Sequence, residues 1–208
     1  MRRLYFRISC VIQEKPLQGS QKSSQLNSKP KVLLVVAHPD LEHSIVNHLM
    51  LKKVQDLSHV TVHDLYAHYP DFFIDVDAEH QLLMKHDIVV FQFPMFLYSC
   101  PSLLKEWMDR VLEKGFAYGE GAQLKGKTWK TVISTGGNDD AFSSNGYNQY
   151  TLNDFLRPFE MTAALCQMHW LEPMVLYWSH NVSDAERYAH AEEFRLWLQH
   201  PLGSKESG

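Results

Sequence analysis

"KVLLVVAHPDLEHSIVNHLMLKKVQDL", residues 31–57, joins an uninterrupted apolar run to a segment with helical spacing. A continuous run of β-branched and aliphatic residues such as 31–37 is typical of a strand buried on both faces of a parallel sheet. Ser44 stands where a helix N-cap is expected, because apolar residues follow it near helical spacing. This stretch therefore predicts a strand, a loop and a helix, which form the first half of a βαβ unit.

Strand and helix patterns alternate along the rest of the chain. Further elements are predicted as strands at 60–65, 87–93, 128–135 and 169–178, and as helices around 77–86, from Pro101 to Gly115, over 152–166 with an interruption at Pro158, and after the capping box Ser183–Glu186. Such alternation favours right-handed crossover connections. The sequence therefore predicts an α/β fold, a flavodoxin-like doubly wound sheet of five parallel strands in the order 2-1-3-4-5.

Length and composition predict one domain. A chain of 208 residues with 45% apolar content suits a single sizeable core. We expect a flavodoxin-like domain over 31–201, a flexible N-terminal extension over 1–30 and a flexible tail over 202–208, because the ends are polar. No run has the roughly 18 consecutive apolar residues of a membrane span. Three widely spaced cysteines without a CxxC pair predict a reducing cytoplasm.

Charge is distributed unevenly. Residues 1–30 carry six Lys/Arg and one Glu, whereas residues 31–208 carry 14 basic and 23 acidic residues. The acidic body argues against nucleic acid as a partner. The basic arm would suit anionic lipid or an acidic protein surface, although its composition indicates a disordered extension more strongly.

Two motifs suggest other functions and are weak. "GAQLKGKT", residues 121–128, matches the phosphate-binding expression GxxxxGK[ST], but that loop must follow a strand and open a helix, and here a helix precedes it and a strand follows. "AHPDLEH", residues 37–43, is similar to the start of zinc-dependent N-deacetylases. Leu41 replaces a carboxylate ligand of that pattern, and an alkyl group cannot bind zinc. No metal site is therefore predicted.

A third constellation lies where the fold places its ligands, beyond the carboxyl ends of the strands. His38, Ser44 and Asn47 suit a phosphate at a helix N-terminus, unless Ser44 only caps the helix and His38 only packs. The apolar loop 94–100 offers a flat surface, unless a helix or a dimer partner covers it. The glycines of "TGG", 135–137, let backbone approach a planar ligand. Together these features predict FMN.

Several stretches resemble the NAD(P)H:quinone oxidoreductases of flavodoxin-like fold. They are "HPDLEHSIVN", "FPMFLYSCPSLLKEWMDRVLEKGFAYGEG" and "STGG". Within that family, "VTVHDLYAHYPDFFID" and "LRPFEMTAALCQMHWLEP" are similar to the ancillary proteins of glutathione-regulated potassium-efflux systems, in particular those of the G type. The resemblance extends from Lys31 to about Pro201.

The resemblance implies FMN, NADH or NADPH as hydride donor, a quinone acceptor and a homodimer with the active site at the subunit interface. It also implies a peripheral position on the cytoplasmic face of the inner membrane and activation of a potassium/proton antiporter of the Kef type. Transferred by position, the cofactor-binding residues are His38, Ser44, Ile45, Val46, Asn47, Pro94, Met95, Phe96, Leu97, Tyr98, Ser134, Thr135, Gly136 and Gly137. Tyr118 is a candidate wall of the acceptor pocket, contributed from the partner subunit.

One departure from the family concerns hydride transfer. Quinone reductases place a Tyr and a His after the TGG, and Phe142 and Asn148 stand there in this chain. Phe142 cannot donate a hydrogen bond, and Asn148 cannot exchange a proton near neutral pH. Tyr147 is the candidate replacement donor.

Two functions follow, an enzyme that reduces quinones and a regulatory subunit with weak catalysis. A stand-alone cytoplasmic quinone reductase is the alternative to a transporter role.

Overall fold

The computed structural model describes residues 29–202, so the predicted extension 1–30 and tail 202–208 lie almost wholly outside the described residues. The strands are β1 Val32–Val36, β2 Val60–Asp64, β3 Ile88–Pro94, β4 Thr128–Ser134, β5 His169–Trp170 and β6 Met174–Leu176. The helices are α1 Ile45–Val54, α2 Leu65–His68, α3 Val76–Met84, α4 Ser102–Val111, α5 Leu152–Leu165 and α6 Asp184–Gln199, with a 3-10 turn at Asp139–Phe142.

The sheet has the predicted order, β2-β1-β3-β4-β5, and every pair in it is parallel. The prediction of one fifth strand over 169–178 was wrong, because two short strands, β5 and β6, both pair with β4. Trp129 pairs with Trp170 and Val132 with Met174, so the outer chain holds one residue more than β4 between these pairs. Pro173 lies in that interval and has no N–H to donate, which explains the break.

Helices cover both faces of the sheet, as the apolar strands require. One face packs the side chains of Leu33, Phe91 and Trp129 against α4 and α5, with Trp107 fully buried. The other packs Leu34 and its neighbours against α1 and α6. Because helices cover both faces, the central sheet remains accessible to ligands at its strand ends.

Most helix boundaries follow from local capping chemistry. Ser44 caps α1, and Ser183 with Glu186 forms the predicted capping box of α6. Two predictions about helices were wrong, one on where α4 ends and one on the interruption of α5 at Pro158. Helix α4 ends at Val111 rather than at Gly115, which lies in the following turn at φ +97°.

Helix α5 runs unbroken through Pro158, contrary to the predicted interruption. Pro158 removes the donor to the carbonyl of Asp154, but both residues are exposed, so water can solvate that carbonyl. Buried Leu156 and Phe159 anchor the helix on either side. A proline on a solvated helix face therefore did not end the helix.

A buried carboxylate ties together the layer formed by β2, α3 and α4. Glu79 is 1% exposed and accepts hydrogen bonds from His63 (2.8 Å), Tyr69 (2.5 Å) and Trp107 (2.8 Å). Burial opposes its ionisation, yet these donors hold the pKa of Glu79 below its usual range. The carboxylate is satisfied by these three donors within the core. We regard it as structural.

Candidate functional site

Two adjoining cavities open at the carboxyl ends of β1, β3 and β4. Their volumes are about 350 and about 290 Å³, and they share Met95, Thr135 and Gly136 as lining residues. This is where a doubly wound sheet changes direction and binds its ligands. We call the two cavities together the cleft.

One side of the cleft, which we call the polar wall, comprises residues 38–47 and Ser134. Ser44 Oγ accepts hydrogen bonds from the backbone N–H and the side-chain amide of Asn47, at 3.2 and 3.1 Å. The same amide donates to Ser134 Oγ at 3.2 Å, and Gln92 Nε2 donates to the carbonyl of Asn47 at 3.1 Å. Asn47 is 3% exposed, so this network is shielded from water and fixes the first turn of α1 before any ligand arrives.

His38 is oriented by the loop that follows it. The backbone N–H of Asp40 donates to His38 Nδ1 at 3.0 Å, which leaves the proton on Nε2. Burial lowers the pKa of His38, and the carboxylates of Asp40 and Asp64 oppose that effect. His38 is therefore a neutral hydrogen-bond donor near pH 7.

The N-terminus of α1 provides further donors. The amide of Asn47 is satisfied by Ser44, whereas within residues 29–202 the amides of Ile45 and Val46 have no acceptor. Both residues line the cleft. Free amides at the positive end of a helix dipole favour an anionic group such as a phosphate.

The opposite side of the cleft, which we call the apolar wall, is the hairpin Met95–Ser99. Phe96 and Ser99 exchange backbone hydrogen bonds of 2.9 and 3.0 Å, so Leu97 and Tyr98 form a two-residue turn. Leu97 (φ 45°) and Tyr98 (φ 66°) both adopt the left-handed region, which a primed hairpin turn requires and non-glycine residues avoid. Leu97 is 93% exposed. A strained turn that displays an apolar side chain is typical of a ligand-binding or partner-binding surface.

Tyr98 fastens this wall to its neighbours. Its ring stacks on Phe155 with centroids 5.0 Å apart, and its hydroxyl donates to Asn148 Oδ1 at 3.3 Å. Asn148 in turn donates its backbone N–H to the carbonyl of Ala141. The turn and the loop after β4 therefore hold each other in place.

The end of β4 forms the floor of the cleft. The N–H of Thr135 donates to Leu176, and its carbonyl accepts from Ser179, which fixes the backbone there. The amides of Gly136 and Gly137 have no acceptor among the described residues and border the cleft. A Cβ at Gly136 would meet open space, whereas one at Gly137 would lie 3.1 Å from the ring of Phe142. Bare backbone thus faces the ligand space at Gly136.

The loop after β4 places its aromatic residues differently. Phe142 is buried and packs near Phe155 and Tyr177, so it belongs to the core. Tyr147 is 89% exposed at the mouth of the smaller cavity. Sequence reasoning missed Gly146, where a Cβ would lie 2.0 Å from the carbonyl oxygen of Asp140. Glycines are common in turns, so no sequence signal marks this close approach.

All fourteen residues predicted to bind the cofactor line the cleft, and Tyr147 joins them. Tyr118 lines neither cavity; it is half-buried after α4, against the core. The structure thus brings together residues from three distant segments, and their roles as ligands remain predictions.

The two weaker motifs do not form sites in the structure. In the segment 121–128, the amides of Gln123, Gly126, Lys127 and Thr128 donate to backbone carbonyls, so they form no phosphate cradle. Within residues 29–202 no three His, Cys, Asp or Glu side chains are close enough to share a metal ion. Nor does any helix in that range have the length and apolarity needed to cross a membrane.

Comparisons with known proteins agree with the architecture. A family model described as a flavodoxin-like fold matches residues 30–198. The glutathione-regulated potassium-efflux system ancillary protein KefG of Yersinia enterocolitica is 53% identical over 180 residues, which are 86% of this chain and 98% of that protein. The resemblance to the G-type ancillary proteins is therefore confirmed.

Two solved structures add information about ligands. General stress protein 14 of Treponema denticola, in complex with FMN, is 36% identical with a TM-score of 0.77 and covers 82% of this chain and 98% of its own. An NADPH-quinone reductase from P. pentosaceus is 30% identical with a TM-score of 0.75, covering 81% and 97%. The bound FMN and the name NADPH-quinone reductase belong to those two proteins.

Proposed function

The chain belongs to the family of flavodoxin-like proteins that includes the KefG ancillary proteins, and from this premise we propose that it is an FMN-binding regulatory subunit of a glutathione-regulated potassium-efflux antiporter, with quinone reductase activity. The observation that carries the proposal is the composition of one cleft. Anion-binding donors lie on the polar wall, and an exposed apolar turn faces them.

The residues of the cleft fit FMN. The amides of Ile45 and Val46 and the Nε2–H of His38 would hold the phosphate. The apolar wall from Met95 to Tyr98 would cover one face of the flat ring, and the bare backbone at Gly136 leaves room for its edge. FMN, when bound, would supply the hydride chemistry between NAD(P)H and a quinone.

The contribution of the protein to that chemistry would be electrostatic and geometric. The amides of Gly136 and Gly137 would donate to atoms that gain negative charge at the pyrimidine edge. The smaller cavity is lined mainly by apolar groups, which would exclude water and favour a flat quinone. Phe142 supplies no donor there, so Asn148 or Tyr147 would contact the acceptor oxygen.

A homodimer would complete this pocket. Leu97 and Tyr147 are exposed side chains that line the cleft, and Tyr150 is exposed beside Phe155; a second subunit would shield all three. Tyr118, which lies away from the cleft of its own chain, would approach the cleft of the partner. Sedimentation at two concentrations and the effect of Tyr118→Ser on quinone reoxidation test both statements.

The regulatory role rests on the KefG relatives, which match nearly over their whole length. Under this proposal the protein sits at the cytoplasmic face of the inner membrane and activates the antiporter. The absence of a hydrogen-bonding Tyr and a proton-exchanging His at 142 and 148 favours regulation as the main role, with slow turnover.

A visible absorption spectrum of the purified protein is the first test. We expect a yellow protein, or one that becomes yellow with FMN, is bleached by NADH or NADPH and is reoxidised by a quinone. A protein that stays colourless with FMN would refute the cofactor proposal. A yellow protein that fails either half-reaction would retain only the regulatory role.

Potassium efflux from vesicles that contain the antiporter separates the two candidate functions. Efflux that rises when the flavin-loaded protein is added supports the ancillary role. Efflux that is unchanged by the protein, together with rapid quinone turnover, supports a stand-alone cytoplasmic quinone reductase instead.

A further inference from the structure

The edge of the sheet opposite the cleft carries a row of basic side chains. Every one of the four long parallel strands is preceded by at least one of them: Lys31 before β1, His59 before β2, Lys85 and His86 before β3, and Lys127 before β4. Because the strands are parallel, their amino ends meet at one edge, and we call these residues together with Lys29 the basic edge.

The lysines at the start of the basic edge are open to solvent, whereas His86 is buried and half-buried Lys127 donates its ammonium group to the carbonyl of His86. A groove of about 700 Å³ is lined by Lys29, Lys31, Lys85, His59 and His86 among others. Lys29, Lys31 and Lys85 are exposed, and in residues 29–202 none of their ammonium groups pairs with a carboxylate. Three free positive charges therefore surround one groove.

Nearby acidic groups only partly offset this charge. Asp87 accepts a hydrogen bond from the backbone N–H of Lys31 at 2.8 Å, and Asp56 is paired with Arg195. Burial lowers the pKa of His86, and the positive charges of Lys31 and Lys127 lower it further. The hydrogen bond to the carbonyl of Leu82 and the carboxylate of Asp87 oppose these effects, so burial is the main cause of the lowered pKa.

The rest of the body has the opposite charge. Residues 31–208 carry 23 acidic and 14 basic residues, so a free basic edge is an exception on this surface. Residues 1–28 add five Lys/Arg and one Glu to the chain directly before Lys29. In the sequence, positive charge is therefore concentrated at and before the first described residues.

We propose that the basic edge is a docking surface for the anionic headgroups of a lipid bilayer. The choice of a bilayer rests on the proposed function, because an antiporter that exports potassium lies in a membrane. Lysine ammonium groups act as flexible point charges that suit scattered phosphates. The exposed lysines lie before the neighbouring strands β1 and β3 and around one open groove, so several headgroups of a bilayer can reach them together. Docking by this edge leaves the cleft open to the cytoplasm.

Co-sedimentation of the full chain with lipid vesicles tests the proposal. We expect binding to phosphatidylcholine vesicles that contain a third of phosphatidylglycerol, little binding to pure phosphatidylcholine, and loss of binding at high salt. The double variant Lys31→Gln/Lys85→Gln should bind the anionic vesicles about ten-fold more weakly or worse. Both lysines are exposed, so the variant should fold.

The matched control is Lys105→Gln/Arg157→Gln, which removes the same charge from exposed positions in α4 and α5. It should change vesicle binding less than about two-fold. Equal loss in both double variants, equal binding to both lipid compositions, or no binding to anionic vesicles would overturn the proposal. In the last case an acidic segment of the antiporter becomes the candidate partner.

Vesicle binding is measured separately from bound flavin and from potassium efflux. A colourless protein that binds anionic vesicles would contradict only the cofactor proposal. A yellow protein that activates efflux in neutral vesicles as well as in anionic ones, and that sediments with neither, would contradict only the lipid proposal.

Discussion

The polar wall of the cleft is held by buried hydrogen bonds, whereas the apolar wall is a strained turn held by two backbone bonds, by stacking of Tyr98 on Phe155 and by one exposed side-chain hydrogen bond. Asn47 connects Ser44, Ser134 and Gln92 out of reach of water. Leu97 and Tyr98 instead adopt left-handed backbone conformations at the exposed surface. The difference indicates that the polar wall exists before the ligand binds, and that the apolar wall gains most from being covered.

The largest effect is expected at the loop that supports the apolar wall. Gly146→Ala places a Cβ 2.0 Å from the carbonyl oxygen of Asp140, so the loop must move. We expect a loss of about 3 kcal/mol in the free energy of unfolding, measured by urea denaturation. Gly136→Ala is the control, because its Cβ meets open space, and its stability should be unchanged. Equal stability of both variants would contradict the observed packing.

Breaking the polar wall should affect stability and binding together. Asn47→Ala removes the side-chain amide that donates to Ser44 and to buried Ser134, although the backbone N–H of residue 47 still donates to Ser44. We expect a loss of about 2 kcal/mol and an FMN dissociation constant roughly ten-fold higher, from denaturation and flavin fluorescence titration. Asn153→Ala, at an exposed position in α5, should change neither quantity. Unchanged FMN affinity in Asn47→Ala would show that the hydrogen bonds of Asn47 do not contribute to the phosphate site.

Relieving strain in the apolar wall should stabilise the free protein. Leu97→Asn replaces an exposed leucine in the left-handed region by a residue that tolerates it. We expect a gain of about 1 kcal/mol in the free energy of unfolding and weaker FMN binding. Phe73→Asn, another exposed apolar position without a positive φ, should show no gain. If Leu97→Asn lowers stability, the turn is not strained as described.

A smaller effect is expected where the two loops are joined. Tyr98→Phe removes the hydroxyl that donates to Asn148 and keeps the stacking on Phe155. Stability should fall by only about 0.5 kcal/mol, because the bond is exposed, while quinone reoxidation should slow several-fold. Tyr150→Phe, also exposed, serves as the control. Identical reoxidation rates in stopped-flow measurements would exclude a positioning role for this bond.

Acidification should slightly lower the stability that the polar wall contributes and should leave the contribution of the apolar wall unchanged. Burial lowers the pKa of His38 in the folded protein. At a pH below the pKa that His38 has in the unfolded chain, the unfolded chain therefore binds more protons than the folded protein. The free energy of unfolding should therefore fall as the pH decreases below about 6.5. His38→Gln should lose less stability than the parent over that interval. The same pH dependence in both proteins would assign the effect to other buried histidines such as His190.

Much of the fold could be predicted because its signals are local. The apolar run at 31–37, the cap at Ser44 and the capping box at Ser183 act within a few residues of sequence, and the structure confirms all three. The strand order followed from alternation and handedness. The split fifth strand and the unbroken helix at Pro158 were missed because they depend on pairing and solvation.

The sequence by itself determined which three loops would meet at the cleft, because parallel strands bring their carboxyl ends to one edge. Only the tertiary structure decided how the walls are held. The bond between Asn47 and Ser134 joins residues 87 positions apart, and that between Tyr98 and Asn148 spans 50. The apolar loop is a left-handed two-residue turn, and Gly146 approaches a carbonyl too closely for any side chain. Contacts between distant residues depend on packing, and no local pattern in the sequence encodes them.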